Sequence, residues 1–355
     1  MKGFQQAVVI RQILVLVLLF PLVSCVGVLP PENYPVPDIA KRAGYRSAEF
    51  PRRKNDIQLL LSFSGGGIRA AALSYGVLQE LHRTPLPKRG NLLDEVDYIS
   101  SVSGGSFTAA YYGLFGDEIF ERYEKDFLKK SIQSALLKKI ISPGYWYSSV
   151  FSGWNRTEMA ADYYDKTIFR GKKIGDILRQ NRAFIEINAT ELSHGGRFSY
   201  TQEFFDLICS DVSAYSVAKA VTASSAVPVL FPPVPLKNYA DKCSYRAMPA
   251  LYNEDIYRRL SERQKELVKI ARLYRDAEQN PFLHLVDGGI ADNLGVHAML
   301  DRLSFRFEDV SADAFPRHLV IIMVNAEVKP ANGINNNFQP PSISETVTAI
   351  TDNMM

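Results

Sequence analysis

Residues 57–69 read Ile57-Gln58-Leu59-Leu60-Leu61-Ser62-Phe63-Ser64-Gly65-Gly66-Gly67-Ile68-Arg69. A short apolar run ends abruptly at three glycines, the pattern of a buried strand entering a tight turn. Beyond the glycines Ile68, Ala71, Ala72, Tyr75, Leu78 and His82 recur at helical spacing, so the unit is strand, glycine loop and amphipathic helix. It returns as the apolar run Val96–Val102, then Gly104-Gly105, then a helix from Ser106. Further strands are predicted at Phe184–Asn188, Phe282–Val286 and His318–Asn325, the last expected to be fully buried because Leu-Val-Ile-Ile-Met-Val has no polar alternation. Strands alternating with helices predict an α/β layered fold with a mainly parallel central sheet flanked by helices.

Three strand ends carry residues suited to acyl transfer, which needs a nucleophile, a base for its proton and donors for the oxyanion. Glycines at Gly65, Gly66 and Gly67 leave backbone N–H groups open at the positive end of a helix. Such a nest suits an oxyanion or a phosphate. A phosphate loop would continue with Lys-Ser or Lys-Thr, whereas Arg69-Ala70 follows here. In Ser101-Val102-Ser103-Gly104-Gly105-Ser106, only Ser103 has a strand ending just before it and a glycine two residues on, as a nucleophile elbow requires. Ser101 stands where that motif usually has glycine, which is a departure. Asp287-Gly288-Gly289 follows the strand Phe282–Val286, which puts Asp287 at a strand end with pliable backbone behind it. Taken singly, each segment is a common turn.

Together and in this order, these segments resemble the patatin-like and cytosolic phospholipase A superfamily. Ser64-Gly65-Gly66-Gly67-x-Arg69, Ser103-Gly104-Gly105-Ser106 and Asp287-Gly288-Gly289 with Asp292-Asn293-Leu294-Gly295 carry the likeness. Ala223-Ser224-Ser225-Ala226-Val227-Pro228, with Phe231-Pro232-Pro233, resembles a further block of the superfamily near the site. The likeness runs from about Ile57 to about Glu327 and implies a patatin-like three-layer fold. It also implies a lipid acyl hydrolase with a catalytic dyad, in which Ser103 attacks and Asp287 accepts its proton. The N–H groups of Gly65, Gly66 and Gly67 would hold the oxyanion, and Arg69 would steady that loop or meet a lipid phosphate. The substrate expected is a membrane lipid, of phospholipase A or lysophospholipase type. A neutral-lipid or small-ester hydrolase, an acyltransferase and a catalytically silent lipid-binding protein stay open. The rival base is a histidine, but nothing ties His82, His194, His284, His297 or His318 to the elbow. No cysteine or histidine pair has zinc spacing, and no cofactor is expected.

At the amino terminus Lys2 and Arg11 precede the apolar run Ile13–Val23. That run is shorter than the roughly 18 residues of a membrane span and has the layout of a secretory signal. Leu22-Val23-Ser24-Cys25 resembles a bacterial lipobox. Residues 1–24 are therefore expected to be a lipoprotein signal peptide, with Cys25 lipidated. Val26 after the cysteine points, by the same likeness, to the outer membrane of the cell envelope. Residues 25–55, with Pro30, Pro31, Pro35 and Pro37, are expected to be an extended tether. Residues 56–355 are expected to be the hydrolase domain. Cys209 and Cys243 remain, either as a disulfide of an exported protein or as two buried thiols.

Formal charge is +3 over 355 residues, and losing Lys2 and Arg11 leaves +1. That balance, without a basic stripe among aromatics, gives no reason to expect nucleic acid, and no protein partner is evident. Phe127, Leu128, Ile132, Ala135, Leu136 and Ile140 form one apolar face among lysines. They either pack on the domain or dock on anionic membrane. The aromatic stretch Pro143–Trp154 is either core or a lid at the lipid interface. Glu254–Glu278 is expected to be one charged helix with Ile256, Leu260, Leu267, Ala271 and Tyr274 inside, and Ser342–Met355 the start of another.

Overall fold

The computed structural model describes residues 29–36, 44–46, 57–87, 90–142, 144, 148, 154–180, 182–245, 248–309, 318–327, 338, 340 and 342. Its strands are β1 (Ile57–Phe63), the hairpin β2 (Pro85–Leu86) and β3 (Gly90–Asn91), β4 (Val96–Val102), β5 (Phe184–Glu191), β6 (Arg197–Ser199), β7 (Val234–Lys237), β8 (Phe282–Val286) and β9 (His318–Val324). The helices that position the site are α1 (Gly67–Arg83), α2 (Gly104–Phe115), α3 (Arg156–Tyr164), α4 (Val217–Ser224), α5 (Glu262–Arg275) and α6 (Val296–Asp309).

The main sheet has the order β7-β8-β5-β4-β1-β9, with β6 added beside β5. The strands β5, β4, β1 and β9 run parallel, whereas β6, β8 and β7 pair antiparallel. Alternate residues of a strand face opposite sides, and β5 shows what covers each. Ile185 packs where Gly113 of α2 leaves room, while Phe184 lies 4.7 Å from the guanidinium of Arg302 on α6. Helices therefore cover both faces, giving three layers. A core rich in aromatics fills them, with Phe63, Tyr111, Tyr112, Phe184 and Phe198 almost wholly buried.

Register places the site. Phe63 of β1 pairs with Ser101 of β4, and Val102 of β4 pairs with Asn188 of β5. The loops leaving β1 and β4 therefore emerge side by side. Strand β8 arrives from the other direction, and its last residue, Val286, already pairs with Thr190 of β5. One step further, Asp287 is brought beside Asn188 and the end of β4. An antiparallel strand thus delivers an acid to the carboxyl ends of parallel strands, where ligands of open α/β sheets bind.

Several expectations change. Strand β9 is not fully buried: Leu319, Val320 and Met323 are exposed, because it is the outermost strand of the sheet with β1 on one side. The stretch Glu254–Glu278 forms two helices, Glu254–Arg259 and α5, parted where Ser261 and Gln264 cap α5 reciprocally. Ile256 is exposed and Val268, rather than Leu267, is in the core. On α1 the inner face is Ala70, Ala71, Ser74, Tyr75, Leu78 and Leu81, with Ile68 outside it. Phe127, Leu128, Ile132 and Leu136 pack on the domain's own core. Cys209 and Cys243 form a disulfide.

Part of the expected tether is docked. Asn33 is buried, its amide donates to the Lys237 carbonyl at 2.8 Å and its Oδ1 accepts the Lys237 N–H at 2.9 Å. Val36 N–H donates to the Cys209 carbonyl. Proline limits the conformations of this strand-like segment, so little entropy opposes its docking. Residues 1–28, Cys25 among them, lie outside the described residues, as do most of Pro143–Trp154 and everything after Ser342. No helix of the described residues is long and apolar enough to cross a membrane.

Candidate active site

Ser103 stands between β4 and α2 with φ 48° and ψ −118°, a left-handed turn that costs energy for a residue with a Cβ. Ser101 needs no glycine here, because it is still in extended β4 and its hydroxyl donates to the Glu186 carbonyl at 3.1 Å. Gly104 is required, since a Cβ there would run into the Gly67 backbone.

The Ser103 hydroxyl donates to Asp287 Oδ2 at 3.0 Å. The other carboxylate oxygen accepts the Gly289 N–H at 2.8 Å. Both side chains are buried, with 7% and 5% of their surface exposed. Backbone bonds fix the acid turn: Asp287 N–H donates to the Ala226 carbonyl, and the Asp287 carbonyl accepts the Thr190 hydroxyl at 2.8 Å. Burial pushes the Asp287 carboxyl up to about 6, while the Gly289 N–H and the Ser103 hydroxyl pull it back down. A carboxylate poised there is ionised at neutral pH and basic enough to take a hydroxyl proton in a transition state.

The glycine loop lies against this pair: a Cβ on Gly65 would sit 3.5 Å from that of Ser103. Gly66 and Gly67 hold φ 132° and φ 58°, conformations that glycine alone adopts freely. Their N–H groups, at the start of the seventeen-residue α1, meet no acceptor among the described residues, as the first turn of a helix leaves them. Gly65 departs from expectation. Its N–H donates to the Asn293 carbonyl at 2.9 Å and is thus committed to tying the glycine loop to the acid turn. The candidate oxyanion donors are Gly66 and Gly67.

Ser64 and Arg69 fasten this loop to the end of β9. The Ser64 hydroxyl accepts the Ala326 N–H at 2.9 Å, and Arg69 Nε donates to the Ala326 carbonyl at 2.9 Å. Of the two roles expected for Arg69, steadying the loop is the one these bonds serve. Asn293 entered the sequence reading only as part of the likeness, with no role, yet its side chain fits between Gly65 and Gly289, where a Cβ on either glycine would meet its Oδ1. The signal was present in two glycines whose close approach needed a partner. No histidine touches the pair: His82 stacks on Phe120, His194 bonds Glu191, the His297 N–H caps Asp292, and His284 and His318 lie on β8 and β9.

The family model described as patatin-like phospholipase matches residues 61–300. Among solved structures, human GIVD cytosolic phospholipase A2 is 13% identical with a TM-score of 0.40, covering 72% of this chain and 44% of that one. The chain thus spans less than half the length of that relative. No curated protein matches. The family is one of lipid acyl hydrolases, and its model takes in the glycine loop, the elbow and the acid turn together. With well over half of its length matched, this chain belongs to the patatin-like phospholipase family.

Proposed function

We propose that this protein is a membrane-facing serine carboxylic-ester hydrolase of phospholipase A or lysophospholipase type, working through a Ser103–Asp287 dyad. The observation that carries the reading is the buried 3.0 Å hydrogen bond from Ser103 to Asp287, beside a glycine turn whose Gly66 and Gly67 N–H groups meet no acceptor among the described residues. Ser103 Oγ attacks the ester carbonyl and its proton passes to Asp287. The oxyanion is met by the N–H groups of Gly66 and Gly67. Collapse expels the lyso-lipid or alcohol, which takes the proton from Asp287 and leaves Ser103 acylated. Water then attacks the acyl-enzyme, giving its proton to Asp287. The second collapse releases the fatty acid and returns the proton to Ser103.

A lipid surface as the source of substrate is supported by what rings the mouth. Ile68 directly follows the glycine loop, Ile290 follows Asp287-Gly288-Gly289, and Val229-Leu230 follow the loop that holds the Asp287 N–H. All four are exposed, Val229 by 74%. The Leu22–Cys25 ending supports lipid anchoring through Cys25, and Val26 after it supports the bacterial outer membrane, which would keep the mouth at its substrate.

Labelling with a fluorophosphonate, followed by assay on phospholipid, lysophospholipid, triacylglycerol and soluble esters, tests this. Wild type is expected to label and to release fatty acid from phospholipid or lysophospholipid, and Ser103→Ala to do neither. Labelling that survives Ser103→Ala would exclude this nucleophile.

A further inference from the structure

We propose that Ser224 is a positioning residue that locks the nucleophile and the acid in register with one another. The inference rests on the dyad reading above and adds to it the group that holds the two halves together.

Ser224 is the last residue of α4 and has no exposed surface. Its Oγ accepts the Ser103 N–H at 2.9 Å, donates to the Asn188 carbonyl at 2.6 Å and lies 3.0 Å from Ser106 Oγ. A hydroxyl has one hydrogen and two lone pairs. The Asn188 carbonyl can only accept, so it takes the hydrogen, and a lone pair receives the Ser103 N–H. The Ser106 hydroxyl shares its one hydrogen between Ser224 Oγ and Ser101 Oγ, which lies 3.2 Å from it. Ser103, ahead of the first turn of α2, has no helical acceptor for its N–H, and the Ser224 side chain supplies one.

The backbone of the same residue reaches the other half. The Ser224 carbonyl accepts the Gly288 N–H at 3.0 Å, and two residues on, the Ala226 carbonyl accepts the Asp287 N–H at 3.0 Å. One residue therefore grips the elbow with its side chain and the acid turn with its main chain. Gly288 is pressed against the Asn188 backbone so closely that a Cβ would not fit, so Asn188, Ser224 and Gly288 form a continuous seam beneath the pair. Nothing covalent links Ser103 to Asp287 nearby, since they are separated by 184 residues. Their 3.0 Å contact depends on this seam.

Removing the Ser224 hydroxyl leaves the Ser103 N–H and the Asn188 carbonyl unmet in a site closed to water. The left-handed Ser103 is then free to relax, carrying Oγ away from Asp287, and small displacements of reacting atoms are expensive. Ser224→Ala is expected to lower kcat and the rate of fluorophosphonate inactivation by about 30-fold to 100-fold with KM changed less than about threefold. The pH midpoint of inactivation is expected to rise, because the Ser103 hydroxyl would no longer stabilise the ionised acid. Ser106→Ala loses a contact with the same hydroxyl but none with the Ser103 main chain, and is expected to stay near wild type.

The experiment measures inactivation rate against pH for wild type, Ser103→Ala, Ser224→Ala and Ser106→Ala, with thermal unfolding alongside. Slow labelling of Ser224→Ala with a raised midpoint supports the proposal. Labelling at the wild-type rate, or a slower rate with an unchanged midpoint, overturns it. If Ser103→Ala still labels, the dyad itself falls and Ser224 with it, so the two failures are distinct. Should Ser224→Ala not fold, Ser224→Cys, whose sulfur is larger and a weak acceptor, is expected to give an intermediate rate and a raised midpoint. A Ser224→Cys protein matching wild type in both respects overturns the proposal.

Discussion

At the scale of single residues, Asp287 sets a pH dependence with a definite sign. Its carboxyl is raised by burial to about 6, and only the ionised form accepts a proton from Ser103. Hydrolysis is expected to climb through pH 6 and level off above it, as kcat/KM measured between pH 4 and 8 would show. Stability runs the other way. A group whose folded-state value lies above its ordinary value of 3.8 contributes stability below pH 4 that is lost as the pH rises through about 6. Above that, the fold carries a buried charge at a cost on the order of 3 kcal/mol. Asp287→Asn is therefore expected to abolish turnover while raising stability at pH 8 by up to about that amount, with little gain at pH 4. Urea unfolding at both values checks it, and an equal effect at the two would refute the assignment of strain to this carboxyl. Ser103 and Asp287 were legible in the sequence because each chemistry-bearing residue type sits between a strand and glycines. The fate of the Gly65 N–H was not, because its partner is a backbone carbonyl of Asn293, and residue type says nothing about where a carbonyl points.

Elements tell a similar story. Strands β1, β4 and β8 stood out because apolar runs ended at glycines, and β9 was recognised as a strand but misjudged in depth. An apolar run reports that a segment forms a strand, while its position at the edge or centre depends on pairings made elsewhere in the chain. The charged helix divided in two because Ser261 offered a better start than Leu260 offered a continuation. The docked segment Glu32–Val36 was hidden by its prolines, which fit a solvated tether and a bound strap equally well. Its hold on the body is concrete. Asn33 exchanges two hydrogen bonds with the Lys237 main chain, as a neighbouring strand would at the open edge of β7. Glu32 and Glu158 flank the buried Lys219 ammonium at 2.8 and 3.0 Å. Asn33→Ala is expected to destabilise the protein by about 2 kcal/mol, because it strands both Lys237 groups against the fold. The same substitution is expected to leave kcat within about twofold, since the seam at Ser224 is untouched. A shift of less than about 0.5 kcal/mol in urea unfolding would mean the strap is only resting on the surface.

Across the whole molecule, the strap and the mouth meet on one helix. Glu158 of α3 joins the cluster that holds Glu32, and Arg156, two residues earlier, donates to the Val229 carbonyl. The segment leading back toward Cys25 thus lands beside the loop that carries the most exposed of the apolar residues at the mouth. From Cys25 to Glu32 the chain reaches at most about 25 Å. A lipid at Cys25 would therefore hold that side of the domain close to the bilayer. Val229 itself is a β-branched residue at φ 74° and 74% exposed, an arrangement that costs energy and gains little packing among the described residues. Burial in lipid would supply the missing contact, at roughly 25 cal/mol for each Å² covered. Val229→Ser with Leu230→Ser is accordingly expected to cut hydrolysis of phospholipid vesicles about tenfold, while turnover of a short soluble ester changes less than about twofold. Leu319→Ser alters an equally apolar exposed position at the far end of the strands, away from the mouth, and is expected to affect neither substrate. An equal fall on vesicles and soluble ester would place Val229 and Leu230 in the acyl site itself. An unchanged vesicle rate would refute docking on lipid through this loop.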